Sequence, residues 1–246
     1  MRRLLPRRVA LGIRREWLAR QVVSGRAHRE GDVDFLDRFV GSSDVCWDIG
    51  ANTGTFTIAL SRLCDRVWAF EPVPHNVDVL KTVVRLGRLN NVTIEQAAIS
   101  DSSGVRRILV PVEGFYGGFY IARLDDLGDL EVRVNTIDQL IAEGIPRPQF
   151  IKCDVEGAEV AVVKGAQTLI STKRPTWLIE TFEDELLPLM KSLGYAAYVN
   201  RGGEGRFEAV DRRLSSDRNY WFIPAEQTLP LSLQRPPTGP MTSAGN

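Results

Sequence analysis

"VCWDIGANTGTFTIALSRL", Val45 to Leu63, is the stretch whose reading decides the fold. A short apolar run ends in Asp48, a glycine-bearing turn follows, and Thr55 to Leu63 reads as a helix. A buried strand, a tight loop and a helix folding back on it form the repeating unit of an α/β sheet. The pattern continues outward. "RVWAFE" (66–71) reads as a second strand, and Pro74 opens a helix carrying Val77, Val79, Leu80, Val83, Val84 and Leu86. "VTIEQAAI" (92–99) reads as a third strand. Further on come "FIKCDV" (150–155), a helix holding Val162, Ala166, Leu169 and Ile170, "TWLIET" (176–181) and a helix through "ELLPLMKSLGY". "AAYVN" and "NYWFIP" (219–224) complete the series. Strands alternating with helices predict a mostly parallel sheet covered on both faces.

Between residues 104 and 135 the rhythm breaks. "VRRILVPV" and "LEVRVNT" read as strands, and "EGFYGGFYIARLDD" between them is rich in glycine and aromatics. "GFYGGFY" has two readings, a packed hairpin or an aromatic wall for a ligand. Residues 225–246 carry Pro230, Pro236, Pro237 and Pro240 with little apolar content, the composition of a disordered tail.

Composition narrows the class. Apolar residues make up 43% and charged residues 25% of 246, and the net charge is formally zero. That balance excludes an electrostatic nucleic-acid binder. Cys46, Cys64 and Cys153 form no CxxC pair and read as small core residues of a reduced protein, which makes the cytoplasm the expected address. With only His28 and His75 beside them, a zinc site lacks ligands. Residues 1–34 form a basic helical segment, with nine arginines against Glu16 and Glu30 in the first thirty positions. Leu5, Val9, Ile13 and Trp17 share one helical face there. Such a segment either packs across the domain or makes weak contact with an anionic membrane surface.

The loop "DIGANTGTF" (48–56) points to a nucleotide cofactor and restricts which one. A dinucleotide fingerprint needs G-x-G-x-x-G, but only Gly50 fits, with Asn52 and Thr55 at the other positions. Asp48 would face a pyrophosphate with like charge, and no Gly-Lys-Ser/Thr follows to make a P-loop. A cationic cofactor removes the conflict. S-adenosylmethionine carries a sulfonium and an ammonium group and no phosphate, so Asp48 attracts it. Asn52 replaces a glycine because asparagine tolerates the left-handed region. Glu71, 23 residues after Asp48, ends the second strand where an acid accepts ribose hydroxyls.

In order along the chain, "WDIGANTGTFTIAL", "AFEPVPHN", "AAISD", "TIDQL", "FIKCDVEGAEVAVVKGA" and "WLIE" resemble the FkbM family of S-adenosylmethionine-dependent methyltransferases. The later "GY" and "NYWFIP" fit the same family's C-terminal pattern. The likeness covers roughly residues 35–224. It implies a class I methyltransferase fold, Rossmann-like, with a seven-stranded mostly parallel sheet whose last strand is antiparallel. It also implies methyl transfer, usually to oxygen on a sugar, polyketide-like or other small metabolite, and a lipid-linked sugar acceptor would suit the basic N-terminus. By the resemblance, Asp48, Gly50, Ala51, Asn52 and Gly54 form the methionine-side loop and Glu71 the ribose acid. Ala98 and Ile99 then lie near adenine, with Asp101 at its amino group.

A hydroxyl acceptor needs a base. In "FIKCDVEGAE" (150–159), Lys152, Asp154 and Glu156 alternate onto one side if the run is extended. Asp154 falls at the strand's carboxyl end, which makes it the candidate general base. Glu156 is either a second acid on the acceptor side or a helix-start acid, and Glu180 is a third carboxylate close by. The competing classes are a binding-only relative and a nicotinamide oxidoreductase, the latter disfavoured by the loop.

Overall fold

Burial alternates along the strands as the apolar pattern requires. Cys46 packs on one face of the sheet with Phe56, Leu60 and Leu178, while Trp47 and Ile49 pack on the other with Val162, Leu169 and Met190. The computed structural model describes residues 7–26, 31–110, 115–116, 119–120, 123–124, 128, 130–201 and 205–227. The first elements are α1 (Arg7–Val23), a 3-10 segment (Gly31–Arg38), β1 (Val45–Ile49), α2 (Thr55–Ser61), β2 (Arg66–Phe70), α3 (Pro74–Gly87) and β3 (Val92–Glu95). Short strands follow: β4 (Ala98–Ile99), β5 (Gly104–Leu109), β6 (Phe115–Tyr116), β7 (Phe119–Tyr120), β8 (Arg123–Leu124) and β9 (Leu130–Asn135). Then come α4 (Ile137–Ala142), β10 (Phe150–Cys153), α5 (Glu159–Lys164), α6 (Gln167–Thr172), β11 (Thr176–Glu180) and α7 (Leu186–Ser192). The last elements are β12 (Tyr195–Arg201), β13 (Arg206–Val210) and β14 (Asn219–Pro224).

The main sheet has the order β13-β12-β14-β11-β10-β1-β2-β3. From β3 through β11 the pairs are parallel, and β14 enters antiparallel between β11 and β12. This is the expected seven-stranded arrangement, widened by one strand. The addition, β13, is an edge strand with mostly exposed or half-buried side chains, so its sequence carries little apolar alternation. The chain moves from β1 outward to β3 and returns at β10 on the other side of β1. That reversal creates a crevice at the carboxyl ends of β1 and β10, the place where doubly wound sheets take ligands.

Three expected elements are corrected. The run 92–99 is two strands, because the Ala97 N–H donates back to the Glu95 carbonyl and turns the chain. Ala98–Ile99 then joins a smaller sheet, β4-β9-β5-β8, beside Val134 and Asn135. The helix of residues 162–170 is also two, broken at Gly165, where an added Cβ would lie 2.2 Å from the Ser100 carbonyl oxygen. Asp138 closes the break by accepting the Thr168 and Leu169 N–H groups. In α1, Leu18, Ala19 and Val22 pack on Ile58, Val79 and Val83, while Ile13 and Trp17 from the expected apolar face are each 56% exposed. α1 therefore docks through its C-terminal half.

All three cysteines are free and buried. Among the described residues no helix is long and apolar enough to cross a membrane. Within "GFYGGFY", Phe115–Tyr116 and Phe119–Tyr120 pair as antiparallel strands, while the rest of that stretch, its side chains, His28 and the tail from 228 lie outside the described residues.

Candidate active site

Loops after β1, β2 and β10 and the start of β4 enclose one cleft of about 630 Å³, counted to its open mouth, a volume suited to a small-molecule ligand. Gly50 and Asn52 contribute from the first loop, and Glu71 and Pro72 from the second. Ala98 and Ile99 form one wall, and Asp154, Val155 and Glu156 the opposite one. Seven of the ten expected site residues (Gly50, Asn52, Glu71, Ala98, Ile99, Asp154 and Glu156) thus share a single cavity.

The first loop is fixed by its backbone. Gly50 has φ +78°, and a Cβ there would stand 1.8 Å from the Asp154 carbonyl oxygen, so only glycine lets the β1 and β10 ends close on each other. Asn52 adopts φ +50°, the left-handed conformation expected of it. Its N–H donates to Glu71 Oε2 at 2.8 Å, and its Oδ1 is buried with no hydrogen-bond partner. A buried acceptor left open on a cavity wall fits a ligand that brings an N–H or O–H donor.

Three expected residues stand behind this wall. Ala51 packs with Ala69 and Leu80 under the loop. Gly54 begins α2 at φ +98° and lets Leu80 approach. Asp48, 1% exposed, accepts a hydrogen bond from the Thr57 hydroxyl beneath the loop. Burial raises its carboxyl to about 6, against the lowering pull of Thr57 and Lys152. Asp101, expected near adenine, pairs with Arg106 at 3.6 Å, half exposed and off the cavity wall.

Glu71 sits at the end of β2 with 4% exposure. It accepts from the Asn52 and Val73 N–H groups and, at 3.3 Å, from Asn76 Nδ2. Burial outweighs these bonds and raises its carboxyl to about 7.

The β10 loop is built differently. Asp154 follows the last strand residue, and its N–H donates to the Ile49 carbonyl at 2.9 Å. Its side chain is 28% exposed, and Oδ2 lies 3.8 Å from Lys152 Nζ. Lys152 is 1% exposed, pairs in register with Asp48 and has its ammonium 4.8 Å over the Phe56 ring. A buried ammonium is retained only where anions and π faces compensate its lost hydration. It sits between the two acidic strand ends and tempers both.

Extended alternation stops at Asp154. Glu156 takes φ +56°, rare for a residue with a Cβ, and it precedes α5 by three residues, so the helix-start reading is corrected. Its carboxyl is raised, first by burial and then by Asp154 and Glu180. The acid of the α5 first turn is Glu159, to which the sequence alone assigns no role. Glu159 is 1% exposed and accepts from the Val155 and Gly157 N–H groups, bracing the loop from beneath. Burial raises it to about 7, with Glu183 adding in the same direction. Its signal in the sequence is an acid three residues after Glu156, at the first position of the helix that follows the loop.

Asp154, Glu156, Glu71 and Asp48 therefore stand on or behind the cleft against one buried lysine. This field suits a cationic ligand and opposes a pyrophosphate.

The Methyltransferase FkbM domain family matches residues 48–197. The hexuronic acid methyltransferase AglP of Haloferax volcanii is 29% identical over 123 residues, which cover 50% of this chain and 49% of AglP. The match thus spans about half the length of that curated relative. Among solved structures, the methyltransferase FkbM of Methylobacillus flagellatus KT superposes with a TM-score of 0.51 at 21% identity. That superposition covers 74% of this chain and 44% of the other, and supports the fold.

Proposed function

Because the chain belongs to the FkbM methyltransferase domain family, whose methyl donor is S-adenosylmethionine, we propose that it methylates a hydroxyl oxygen of a sugar or other small metabolite. The observation carrying this reading is the shared cavity. Glu71 and the open Asn52 Oδ1 stand on one side of it and the part-exposed Asp154 carboxylate on the other.

The residues present fit the donor. Glu71 would accept its ribose hydroxyls, Asn52 Oδ1 an ammonium proton, and Ala98 and Ile99 would cover the adenine. Asp48 adds negative charge from beneath the loop. When bound, S-adenosylmethionine supplies an electrophilic methyl group on a sulfonium whose leaving group is a neutral thioether. Asp154 would take the proton of the acceptor hydroxyl, leaving its oxygen free to accept the methyl group that the bound donor would supply. A base so placed is worth about 10²–10⁴-fold, and alignment of the reacting atoms up to about 7–11 kcal/mol.

The acidic wall also bears on the acceptor group. Asp154 and Glu156, with Glu180 adding its charge from behind, would repel a carboxylate brought to the methyl position, whereas a hydroxyl would give its proton to Asp154. The hexuronic acid relative keeps sugars first among candidates. The test is formation of S-adenosylhomocysteine, followed by mass spectrometry, on a panel of neutral sugars, polyketide-like alcohols and hydroxyl-free carboxylates. Turnover on a hydroxyl is the expected result. Turnover confined to carboxylates would overturn the hydroxyl reading. Titration calorimetry with S-adenosylmethionine and NAD checks the cofactor, with binding of the first and none of the second expected.

A further inference from the structure

The cleft has a donor side and an acceptor side, and the strand order separates them. Asn52, Glu71, Ala98 and Ile99 lie toward β2 and the small sheet, so a donor held there leaves the opposite lip, toward β11, for the acceptor. Beside the Asp154–Glu156 wall, at the carboxyl end of the parallel neighbour of β10, the chain leaves β11 through Glu180, Thr181 and Phe182. Trp177, Leu178, Ile179 and Thr181 are fully buried, yet Phe182 is 52% exposed. Arg218, which precedes β14, places its guanidinium carbon 5.2 Å from the Phe182 ring centroid. The Thr181 N–H donates to the Arg218 carbonyl at 2.9 Å, which ties the two side chains to the same strand end. The floor is braced as well, since the Thr181 hydroxyl accepts from the Glu183 N–H and donates to Glu159. The Arg218 guanidinium also attracts the Glu156 carboxyl on the cleft wall, offsetting part of the rise that burial, Asp154 and Glu180 cause.

We propose that Phe182 and Arg218 form the acceptor subsite, a platform for a saturated sugar ring that carries an anionic group. This rests on the methyl-transfer reading for its acceptor role. The ring face of Phe182 takes the C–H face of a sugar, and its stacking with Arg218 preorganises both groups. The guanidinium fork then takes a carboxylate or phosphate, which the neighbouring carboxylates would refuse anywhere closer to Asp154. The anion is thereby held at the outer end of the ring, and a hydroxyl at the inner end faces the base.

The test is calorimetric, on the full chain with and without S-adenosylhomocysteine. The probes are 4-nitrophenyl β-D-glucuronide, glucose 6-phosphate and, as the neutral control, 4-nitrophenyl β-D-glucoside. Wild type is expected to bind at least one anionic sugar about tenfold or more tighter than the control, and the two anionic probes separate a uronate from a phosphorylated acceptor. Arg218→Gln should erase that preference, Phe182→Ala should weaken all three sugars, and neither should change S-adenosylhomocysteine affinity or the melting temperature. An anionic preference that survives in Arg218→Gln, or none in wild type, overturns the subsite. Failure of wild type to bind S-adenosylhomocysteine overturns the methyl-transfer reading instead, and the preference measured without it still decides the subsite.

Discussion

Two neighbouring strands, β1 and β10, each run apolar residues toward an acid and a glycine, yet the loops after them use their polar groups differently. In the first, Asp48 lies inside the strand, buried and bonded to Thr57, and Gly50 and the Asn52 amide side chain line the cleft in its place. In the second, Asp154 lies one residue beyond the strand and keeps a part-exposed carboxylate, while Glu156 carries a side chain through a left-handed turn. Register explains the offset: Asp48 pairs with Lys152, so Asp154 falls level with Gly50. An acid within the strand becomes structure, and one just past it becomes available for chemistry.

The hardest way to break this comparison is to separate the two strand ends. Gly50→Ala would drive a methyl group into the Asp154 carbonyl at a positive φ, a clash with backbone that no side-chain rotation can relieve. It should cost roughly 3 kcal/mol or more of stability, read as a lowered melting temperature, and abolish S-adenosylhomocysteine binding. A near-native melting curve would mean that the strand ends are less tightly joined than their geometry indicates.

Asp154→Asn removes the chemistry and leaves the frame. Turnover on a hydroxyl acceptor should fall about 10²–10⁴-fold with S-adenosylhomocysteine affinity within about threefold of wild type. Undiminished turnover would take Asp154 out of the mechanism. On the other loop, Glu71→Gln should do the reverse, weakening S-adenosylhomocysteine by about tenfold through a poorer ribose acceptor.

The pH dependence has a defined sign. Glu71 is raised from 4.5 to about 7, so the folded apoprotein holds a proton that the unfolded chain releases between those values. Its stability contribution is complete below about 4.5 and is lost as pH rises through about 7, and Asp48, raised from 3.8 to about 6, acts in the same sense. Ribose hydroxyls favour the ionised carboxylate, so S-adenosylhomocysteine affinity should climb from pH 6 to pH 8 as apoprotein stability falls. Glu71→Gln should flatten the affinity profile, and a profile unchanged by that substitution would remove Glu71 from the ribose site.

What could be read from sequence was whatever is local in its cause. The strands β1, β2, β10, β11 and β14 show themselves as short buried runs, and the loop after β1 disfavours a pyrophosphate through the charge of Asp48 and through Asn52 and Thr55 at the fingerprint's glycine positions. The remainder depends on partners distant in the chain. Ala98 leaves the main sheet because Val134 is there to pair with it, and Gly165 breaks a helix because Ser100 presses on it. β13 is held by β12 rather than by burial of its own. The same holds in the site. Glu71 and Asp154 were legible from their positions at strand ends, but Glu159 acquires its role only from N–H groups that a left-handed turn at Glu156 directs toward it.

That turn yields the smallest expected effect and the finest test of the contrast between the loops. A residue with a Cβ in the left-handed region costs about 1–2 kcal/mol, and the Glu156 carboxyl adds repulsion from Asp154 and Glu180. Glycine removes both, and gives back part of the gain through the greater freedom of its unfolded chain. Glu156→Gly should therefore stabilise the protein by about 0.5–1 kcal/mol, a rise of about 1–4 °C in melting temperature. Gly50 offers no such gain, since its conformation is already relaxed. If Glu156 serves the acceptor, the stabilised variant should lose turnover while keeping S-adenosylhomocysteine affinity, because the side chain removed faces the cleft and the donor residues lie on the opposite wall. Stability that falls would show that Glu156 is held by contacts worth more than the strain. Stability that rises with turnover intact would mean that the strained acid is not needed for transfer, and Asp154 would then carry the chemistry of that wall without it.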